Sequence, residues 1–527
     1  MPGLTTRHAS TSLAARVGLA ARQHATVIVA ASPVVAAVLY TLATPPFTLA
    51  ALAWVVAGTL LAGAERASPP RAFLHGALFG LLIACGITSW APGAAAAYFG
   101  GSRVAAASFA LAVWLVFSAL PYGLLTLAYR LIAPRVPGWS VPLCAAWLWV
   151  ACEWLRTVLL TGLPWGFLAH TQWRATTLLQ VADLGGVYAV SFVVAYAGTA
   201  LVRGMLALPA RERPASAIVL QTWLPAAGLV VAVLLYGESR LSALAPDARA
   251  SASARQVAIV QVDAPARLHW QRAAAMRTVA LYAAETRATP GAALVVWPES
   301  AVAFYPDEDA LLRTQLAQVA RASGAPLLFG ASRRAADGSA RNAVFLLDER
   351  GAIRGSYDKQ RLLPFAEYDP LDTSAPARGL AYAAGGLAAP IDAAGMHLGA
   401  LVCYEALFPA LARARVLEGA DVLVNLSNDA WLDGGDGAAR AQHFAMTVFR
   451  AIETRRPLVR ASAGGISGAV AATGEVQDAL PAGRGTLRVA VAPGAGSTAY
   501  VRFGDAWIAL GGLLVGALVV SPRRRPC

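Results

Sequence analysis

The sequence has almost no lysine. Of its 43 basic residues only Lys359 is a lysine, so arginine serves wherever a plain positive charge is enough. A single lysine indicates a position that needs a compact, flexible ammonium rather than a planar guanidinium. The alternative is a chance survivor of a biased composition, and this residue alone does not decide between the two.

Cysteine is scarce too. Five cysteines in 527 residues show neither metal-ligand spacing nor an evident disulfide framework. Cys85, Cys144 and Cys152 lie in apolar blocks and Cys527 is the last residue, so Cys403 stands alone in the long polar region. The sequence also lacks Gly-rich phosphate-binding loops, internal repeats and low-complexity tracts. We therefore expect no metal and no cofactor.

Charged residues make up only 14% of the chain, against 57% hydrophobic residues and a mean hydropathy of +0.54. These values exclude a wholly soluble protein. The net charge of +13 suggests nucleic acid at first, but the arginines lie mainly in short links between apolar blocks. There they act as topology signals and contacts for anionic lipid, so no nucleic-acid partner is expected.

The apolar blocks have the length of membrane spans. A helix needs ~20 residues to cross the hydrocarbon core of a bilayer. Eight segments come near this length, at about 24–43, 47–64, 72–90, 104–128, 141–160, 186–206, 216–236 and 505–521.

Arginines in the links predict the orientation. One set of alternate links carries thirteen arginines, against three in the opposite set, namely Arg103, Arg156 and Arg174. Because cytoplasmic loops hold the excess of basic residues, both termini are expected in the cytoplasm. The sequence therefore predicts a membrane domain of seven helices over 1–237, an external domain over 238–504, and an eighth helix with a cytoplasmic tail over 505–527.

One link differs from the others. Residues 156–167 include Pro164, Trp165 and Phe167 and are too apolar for a simple solvated loop. We interpret them as an interfacial or re-entrant segment near the external domain. An ordinary belt of aromatic residues at the membrane surface is the alternative.

The polar region alternates strand and helix patterns. Apolar runs predict strands at 257–262, 294–298, 326–332, 343–348, 353–357, 398–403, 422–427, 457–463, 467–473 and 485–492. Periodic segments predict helices at 270–287, 307–322 and 440–455. Continuous apolar strands with interleaved helices indicate sheets buried on both faces, and hence an α/β layered fold.

Polar residues follow three of these strands where their apolar flanks do not explain them. Glu299 follows the run at 294–298, Lys359 follows the run at 353–357, and Cys403 ends the run at 398–403. A helix is predicted to begin near Pro409, so Cys403 lies on a strand-to-helix turn, where a nucleophile can be presented on a supported backbone. Each residue alone has an ordinary structural explanation, but the three together do not.

These three residue types fit acyl transfer through a covalent thioester. The thiol needs a base to accept its proton, and a partly buried Glu299 would serve. The tetrahedral intermediate needs positive charge beside its oxyanion, which Lys359 and the backbone N–H of Tyr404 would supply. The nearby ammonium is also expected to lower the pKa of Cys403 and to favour the thiolate.

The motifs carry a family resemblance that covers essentially the whole chain. The Glu-Lys-Cys set resembles the triad of the nitrilase superfamily, and with its membrane frame the chain resembles the apolipoprotein N-acyltransferase family. Further matching motifs are 161–165, 427–431, 442–444 and 455–461. The resemblance implies an α/β protein with a nitrilase-like αββα sandwich domain on an eight-helix transmembrane bundle.

The resemblance implies a two-step reaction at the outer, periplasmic face of a bacterial inner membrane. Cys403 would take the sn-1 acyl chain of a phospholipid and pass it to the α-amine of the N-terminal diacylglyceryl-cysteine of an apolipoprotein. Glu299 corresponds to the base, Lys359 to the oxyanion partner and Cys403 to the nucleophile. Supporting roles fall to Glu367, Tyr404, Glu405 and Trp270, the last near the entrance to the site. The protein is expected to act as a monomer.

The chain departs from the family pattern in three loops. Ala366 stands where a glycine usually precedes the second glutamate, Val262 stands inside a Gln-Gly-Asn/Asp turn, and Ala463-Gly464-Gly465 replaces Asn-Asn/Thr-Gly. None of these changes removes a triad residue. They concern the loops near the entrance, and hence the preference for acyl chain or lipoprotein.

Alternatives remain for individual residues and for the function. His443 and Asn428 could form a Cys-His-Asn arrangement with Cys403, but a helix histidine that hydrogen-bonds within its domain is the favoured interpretation. Trp431 and Tyr368 are interpreted as pocket walls. Two other functions are a membrane-tethered amidase or nitrilase, which needs a closed polar pocket, and a receptor-like binding module, which needs no reactive thiol.

Overall fold

We describe a computed structural model of the chain, in residues 30–210, 214–244, 253–263, 272–371, 382–432 and 437–521. Helices fill the first part up to Ala243, strands and helices alternate from Arg255 to Val491, and two helices follow.

The regular elements of the first part are all helices in its described residues. Its helices are α1 (Ala30–Ala43), α2 (Ala53–Arg66), α3 (Pro69–Ile87), α4 (Ala91–Phe99), α5 (Arg103–Trp114), α6 (Leu120–Ile132), α7 (Val141–Val158), α8 (Thr176–Leu179), α9 (Ala182–Gly185), α10 (Val187–Ala210), α11 (Ala215–Ile218) and α12 (Leu224–Ala243). A π turn joins α5 to α6 and another joins α11 to α12, so each pair forms one long helix. Large apolar side chains such as Leu74, Leu115 and Leu235 are exposed on these helices, as suits a hydrocarbon environment.

The predicted count of eight spans is not confirmed among the described residues. Four helices are long and apolar enough to cross a membrane, namely Pro69–Ile87, Arg103–Arg135, Val187–Leu208 and Ala215–Ala243. Ala30–Ala43 and Ala506–Val520 are apolar but shorter. Helix α2 has 14 residues, which gives a length of about 21 Å. Helix α7 carries two ionisable residues, Glu153 and Arg156, that are buried inside the protein.

The second part contains twelve described strands in two sheets. They are β1 (Arg255–Gln261), β2 (Leu294–Val296), β3 (Leu327–Arg334), β4 (Ala340–Leu347), β5 (Ile353–Asp358), β6 (Ile391–Ala393), β7 (Met396–Val402), β8 (Val422–Asn428), β9 (Leu458–Ala463), β10 (Ser467–Val470), β11 (Val476–Leu480) and β12 (Gly485–Val491). The sheet orders are β12-β1-β2-β3-β4-β5 and β11-β10-β9-β8-β7-β6. Because β1–β2–β3 and β7–β8–β9 are parallel, their carboxyl ends share an edge within each sheet.

Helices cover the outer faces of the two sheets. They are α13 (Arg272–Thr286), α14 (Ala310–Ser323), α15 (Pro409–Leu417) and α16 (Ala438–Thr454), and α17 (Ala499–Phe503) and α18 (Ala506–Val520) follow. Alternate strand residues meet between the sheets, with Ile259 and Val424 in one core, while Tyr282 of α13 packs on the outside of the first sheet. The predicted αββα sandwich is confirmed.

All ten predicted strands occur, and two more complete the sheets. The additional strands, β6 and β11, are short edge strands with exposed polar residues, so they lack the apolar run that marked the others. Their neighbours β7 and β10 supply the pairing that makes them strands.

Helix α16 lies between the second sheet and the helical part. Phe449 and Val448 pack in one core with Leu423 of β8 and with Phe167 and Tyr188 of the helical part. This explains why almost every residue of α16 is buried. The helix therefore connects the two halves of the molecule beside the carboxyl ends of β7 and β8.

Candidate active site

The three strand ends predicted to carry the chemistry meet at one place. Glu299 lies just after β2, Lys359 directly after β5 and Cys403 directly after β7. Lys359 Nζ is 3.3 Å from Glu299 Oε1, and the charges of both residues act on the Cys403 thiol. Residues from both sheets thus form one cluster.

Cys403 occupies a tight turn between a strand and a helix. It begins a 3₁₀ turn that ends at Leu407, just before α15. Its φ of 51° lies in the left-handed region, which costs a non-glycine residue about 1–3 kcal/mol. Glu405 stabilises the turn, because its carboxylate accepts hydrogen bonds from the backbone N–H groups of Val402 at 2.7 Å and Arg361 at 2.9 Å. The predicted strand-to-helix turn is confirmed.

The Cys403 thiol is protonated at neutral pH. The residue is 4% exposed, and burial, together with the charge of Glu299, raises the pKa of Cys403 far above its usual value although Lys359 acts to lower it. The expectation of a lowered pKa is wrong, because desolvation outweighs a single counter-charge. Attack by Cys403 therefore needs a base that accepts its proton.

Lys359 lies between two carboxylates. Its Nζ is 3.3 Å from Glu299 and 3.0 Å from Glu367. Burial alone would lower the pKa of Lys359, but Glu299 and Glu367 raise it well above its usual value. The ammonium is therefore charged, and it supplies a compact positive group, the role for which lysine suits better than arginine.

Asn342 belongs to the site, and the sequence analysis missed it. Its Nδ2 donates to Glu299 Oε1 at 2.8 Å and to Glu367 Oε1 at 2.7 Å. The backbone carbonyl of Asn342 accepts a hydrogen bond from the Lys359 backbone N–H at 2.8 Å. One amide thus holds both carboxylates at fixed positions. The only signal in the sequence was an amide residue at the start of the apolar run of β4, a common and unspecific pattern.

Three of the four predicted supporting residues lie in or beside this cluster. Glu367 contacts Lys359 and also accepts from the Leu363 backbone N–H at 2.6 Å. Glu405 holds the turn, and burial raises its pKa against the effect of its backbone donors. The Tyr404 hydroxyl donates to the Gly162 carbonyl at 2.6 Å, which ties the turn to the helical part. Trp270 lies outside the described residues.

The link at 156–167 packs against the α/β part. Arg361 donates to the Thr161 carbonyl, and the Trp165 indole N–H donates to Gln442 Oε1 at 2.9 Å. Trp165 is buried. The segment at 156–167 therefore packs beside the α/β part, and its position relative to a membrane stays a prediction.

An apolar cavity extends from the helices to this turn. Its helical wall includes Ile83 and Ile87 of α3 and Phe109 and Trp114 of α5. Its α/β wall consists of Leu363, Pro364, Phe365, Ala366, Tyr404 and Trp431. Trp431 is thus a cavity wall, as predicted, whereas Tyr368 does not line this cavity.

Tyr98 of α4 connects the cavity to the triad. The residue lines the cavity. Burial raises the pKa of Tyr98, and the charges of Glu367 and Glu299 raise it further. The charges of both carboxylates therefore act on a residue that lines the cavity.

A second buried polar cluster lies beside Cys403. Asp429 accepts from Ser427 Oγ at 2.7 Å and from Arg460 Nη2 at 2.6 Å, and its Oδ1 is 3.0 Å from His443 Nδ1. Burial alone would raise the pKa of Asp429, but Arg460 and His443 lower it far below its usual range. His443 therefore hydrogen-bonds within its own domain, which is the interpretation that the sequence analysis favoured over a Cys-His-Asn arrangement.

The replaced glycine-rich turn at 463–465 supports this second cluster. A Cβ atom at Gly465 would overlap the side chains of Asp429 and Ser462. Gly464 has a φ of 64°, and a Cβ there would be 2.8 Å from Ala430. The small residues at 463–465, which differ from the family pattern, thus leave room for the loop that carries Asp429.

Comparisons with known proteins match both parts of the chain. Residues 36–200 match the family described as "Apolipoprotein N-acyltransferase N-terminal domain", and residues 256–500 match "Carbon-nitrogen hydrolase". A solved amidase from Nesterenkonia sp. is 21% identical, with a TM-score of 0.38, over 49% of this chain and 97% of the amidase.

Relatives named apolipoprotein N-acyltransferase align over nearly the full length. The protein from Geobacter metallireducens is 33% identical over 93% of this chain and 95% of its own length. The protein from Methylococcus capsulatus is 32% identical over 87% of this chain and 89% of its own length. The chain therefore belongs to the apolipoprotein N-acyltransferase family of the nitrilase superfamily.

Proposed function

We propose that the protein moves the sn-1 acyl chain of a phospholipid to the α-amine of the N-terminal diacylglyceryl-cysteine of an apolipoprotein. The observation that carries this proposal is the apolar cavity that leads from the helices to Tyr404, the residue after Cys403. A lipid acyl chain can pack against the apolar side chains of this cavity, whereas an amidase for small polar substrates would need a closed polar pocket.

In the first step, Cys403 Sγ attacks the ester carbonyl carbon while Glu299 accepts the thiol proton. The S–C bond forms, and the Lys359 ammonium stabilises the negative charge that develops on the carbonyl oxygen. The ester C–O bond then breaks, and Glu299 returns the proton to the glycerol oxygen. A lysophospholipid leaves, and the acyl chain remains on Cys403 as a thioester.

In the second step, the α-amine of the lipoprotein attacks the thioester carbonyl carbon. Glu299 accepts a proton from the amine nitrogen as the N–C bond forms, and Lys359 again stabilises the oxyanion. The C–S bond breaks, and the proton returns to Cys403 Sγ. The products are the amide and the original thiol.

The contacts of Glu299 support its role as the base. Its Oε2 accepts from the Asn428 backbone N–H at 2.9 Å, and its Oε1 accepts from Asn342 at 2.8 Å. The carboxylate is therefore held before substrate arrives, which is the condition for efficient proton transfer. We assign Trp270 to the entrance, on the family correspondence alone.

The arginine asymmetry supports the placement of the chain in the membrane. We propose a membrane domain over 1–237, a periplasmic catalytic domain over 238–504, and a final span with a cytoplasmic tail over 505–527, in a bacterial inner membrane. On the family resemblance, we also propose that the protein acts as a monomer.

Mass spectrometry of the intact protein tests the thioester. Incubation in detergent with dipalmitoyl phosphatidylethanolamine should add one palmitoyl mass at Cys403, and hydroxylamine should remove it. Cys403→Ala should abolish the adduct and the transfer to a diacylated lipopeptide, whereas Cys144→Ala, at a buried cysteine of α7, should retain both. Full transfer by Cys403→Ala would refute the mechanism, and ammonia release from simple amides without lipid transfer would support an amidase.

Protease added to intact spheroplasts tests the topology. The domain over 238–504 should be cleaved from outside while the membrane domain stays protected. Cleavage only after permeabilisation would place the domain in the cytoplasm instead.

A further inference from the structure

The side chain of Gln442 makes four hydrogen bonds across the boundary between the two halves of the molecule. Its Oε1 accepts from the indole N–H of Trp165 at 2.9 Å and, more weakly, from that of Trp90 at 3.4 Å. Its Nε2 donates to the carbonyls of Pro45 at 2.8 Å and Ile87 at 2.9 Å. An amide has two donor hydrogens and two acceptor lone pairs, so its full capacity is used, and Gln442 is buried.

The partners of Gln442 form part of the cavity wall. Trp90, Trp165 and Ile87 all line the cavity. The two indole rings pack against each other with centroids 5.2 Å apart. Gln442 thus holds the two indole rings in place through hydrogen bonds from their only polar atoms.

The residue after Gln442 connects to the polar cluster beside the nucleophile. His443 hydrogen-bonds to Asp429 at 3.0 Å, and its ring centroid is 5.8 Å from that of Trp165. Asn428, which precedes Asp429, donates its backbone N–H to Glu299. One turn of α16 therefore touches the cavity wall on one side and, through the 427–429 segment, the catalytic base on the other.

We propose that Gln442 is a positioning residue that holds the Trp90–Trp165 wall of the cavity at a fixed position relative to Cys403. The acyl donor can then bind with its ester group at the thiol. This inference rests on the proposed acyltransferase function. Loss of the amide would leave buried donors and acceptors without partners, at about 1–3 kcal/mol each. The indoles would then turn toward other partners and narrow or displace the chain-binding wall.

The test is a comparison of KM and kcat for thioester formation from dipalmitoyl phosphatidylethanolamine in mixed micelles. Gln442→Met keeps the length of the side chain but removes its hydrogen bonds. We expect KM to rise about tenfold, which corresponds to ~1.4 kcal/mol, and kcat to fall by no more than about threefold. Gln318→Met, at an exposed glutamine of α14, is the matched control and should keep the wild-type KM.

A double-mutant cycle shows whether Gln442 acts through the indole. Trp165→Phe removes the same hydrogen bond from the other partner and should also raise KM. If the two residues act through this bond, the KM of the double variant Gln442→Met/Trp165→Phe should be no higher than the larger KM of the two single variants. Additive losses, or a wild-type KM in Gln442→Met, would overturn the inference.

The outcomes separate this inference from the function on which it rests. If the wild-type protein forms no thioester from this lipid, the proposed function fails. If the wild-type protein is acylated normally and only the expected KM change is missing, the role of Gln442 alone fails. Should Gln442→Met not fold, as judged by its thermal unfolding, an unchanged KM in Trp165→Phe would still overturn the inference.

Discussion

In the proposed mechanism, attack by the protonated thiol of Cys403 relies on a carboxylate, Glu299, that is held in place. The thiol is buried and its pKa is raised, so few molecules carry a thiolate before substrate binds. Glu299 is held by Asn342 and by the Asn428 backbone. The proposed mechanism therefore includes proton transfer during attack, in contrast to enzymes whose cysteine is ionised at rest.

The first prediction concerns Glu299→Gln. Loss of the base should lower the rate of thioester formation at pH 7 by ~10²–10⁴-fold. Because the pKa of Cys403 lies above this range, its thiolate fraction rises about tenfold per pH unit, and the variant should recover in proportion between about pH 7 and 9. The wild-type rate should rise less steeply. The pH profile is measured by quenched mass spectrometry.

Glu308→Gln is the control for that experiment. Glu308 is a half-exposed carboxylate paired with Arg334, so its loss should leave the profile unchanged. A Glu299→Gln variant whose rate does not respond to pH would contradict the assignment of Glu299 as the base.

The second prediction concerns Asn342. Asn342→Leu removes the donor from two carboxylate oxygens that stay buried, so we expect acyl loading to fall by about tenfold or more. Gln256→Leu, at an exposed position of β1 in the same sheet, should have no such effect. Wild-type loading by Asn342→Leu would show that Lys359 and the backbone suffice to hold Glu299 and Glu367.

At the scale of elements, close packing between β3 and the segment after β2 places the base. The Gly330 backbone N–H donates to the Pro298 carbonyl at 3.1 Å. A Cβ atom at Gly330 would be 2.6 Å from both Glu299 Cα and Ser300 N. Only a glycine on β3 therefore lets the loop that carries Glu299 approach this closely.

The third prediction follows from that contact. Gly330→Ala should displace the Glu299 loop, lower stability by about 1–3 kcal/mol, and lower acyl loading. Gly386→Ala is the matched control, because a Cβ atom there meets open space. Thermal unfolding and thioester formation measure the two effects, and equal behaviour of both variants would contradict the close approach.

At the scale of the whole molecule, a buried ion pair fastens the helical part to the α/β part. Asp183 of α9 accepts from Arg455 Nη2 at 2.7 Å, from Arg240 at 3.0 Å and from the Tyr236 hydroxyl at 2.7 Å. Arg455 follows α16 directly. This contact therefore anchors the carboxyl end of α16, whereas Gln442 anchors its beginning.

The fourth prediction tests this anchor. Asp183→Asn leaves the buried Arg455 without its counter-charge, and loss of one partner of a buried pair costs about 3–5 kcal/mol. The unfolding midpoint in detergent should fall clearly below that of Glu238→Gln, a substitution at an exposed residue of α12. Equal midpoints would show that the two halves stay together without this ion pair.

The α/β class of the domain and the positions of Glu299, Lys359 and Cys403 at strand ends were predictable from the sequence, and the catalytic roles of the three residues stay a prediction. Glu299, Lys359 and Cys403 follow strands whose apolar runs are local and continuous, so their place at strand ends could be read directly from the chain. The same runs predicted a layered α/β fold, and the family resemblance implied the αββα order of its layers. Strands β6 and β11 were not predicted, because they form through pairing with their neighbours rather than through an apolar run of their own.

The contacts within the candidate site could not be predicted from the sequence. Desolvation of Cys403, the bridge formed by Asn342 and the four bonds of Gln442 depend on residues that are distant in the chain. The physical reason is that burial and long-range hydrogen bonds arise from packing between elements, which local periodicity does not contain.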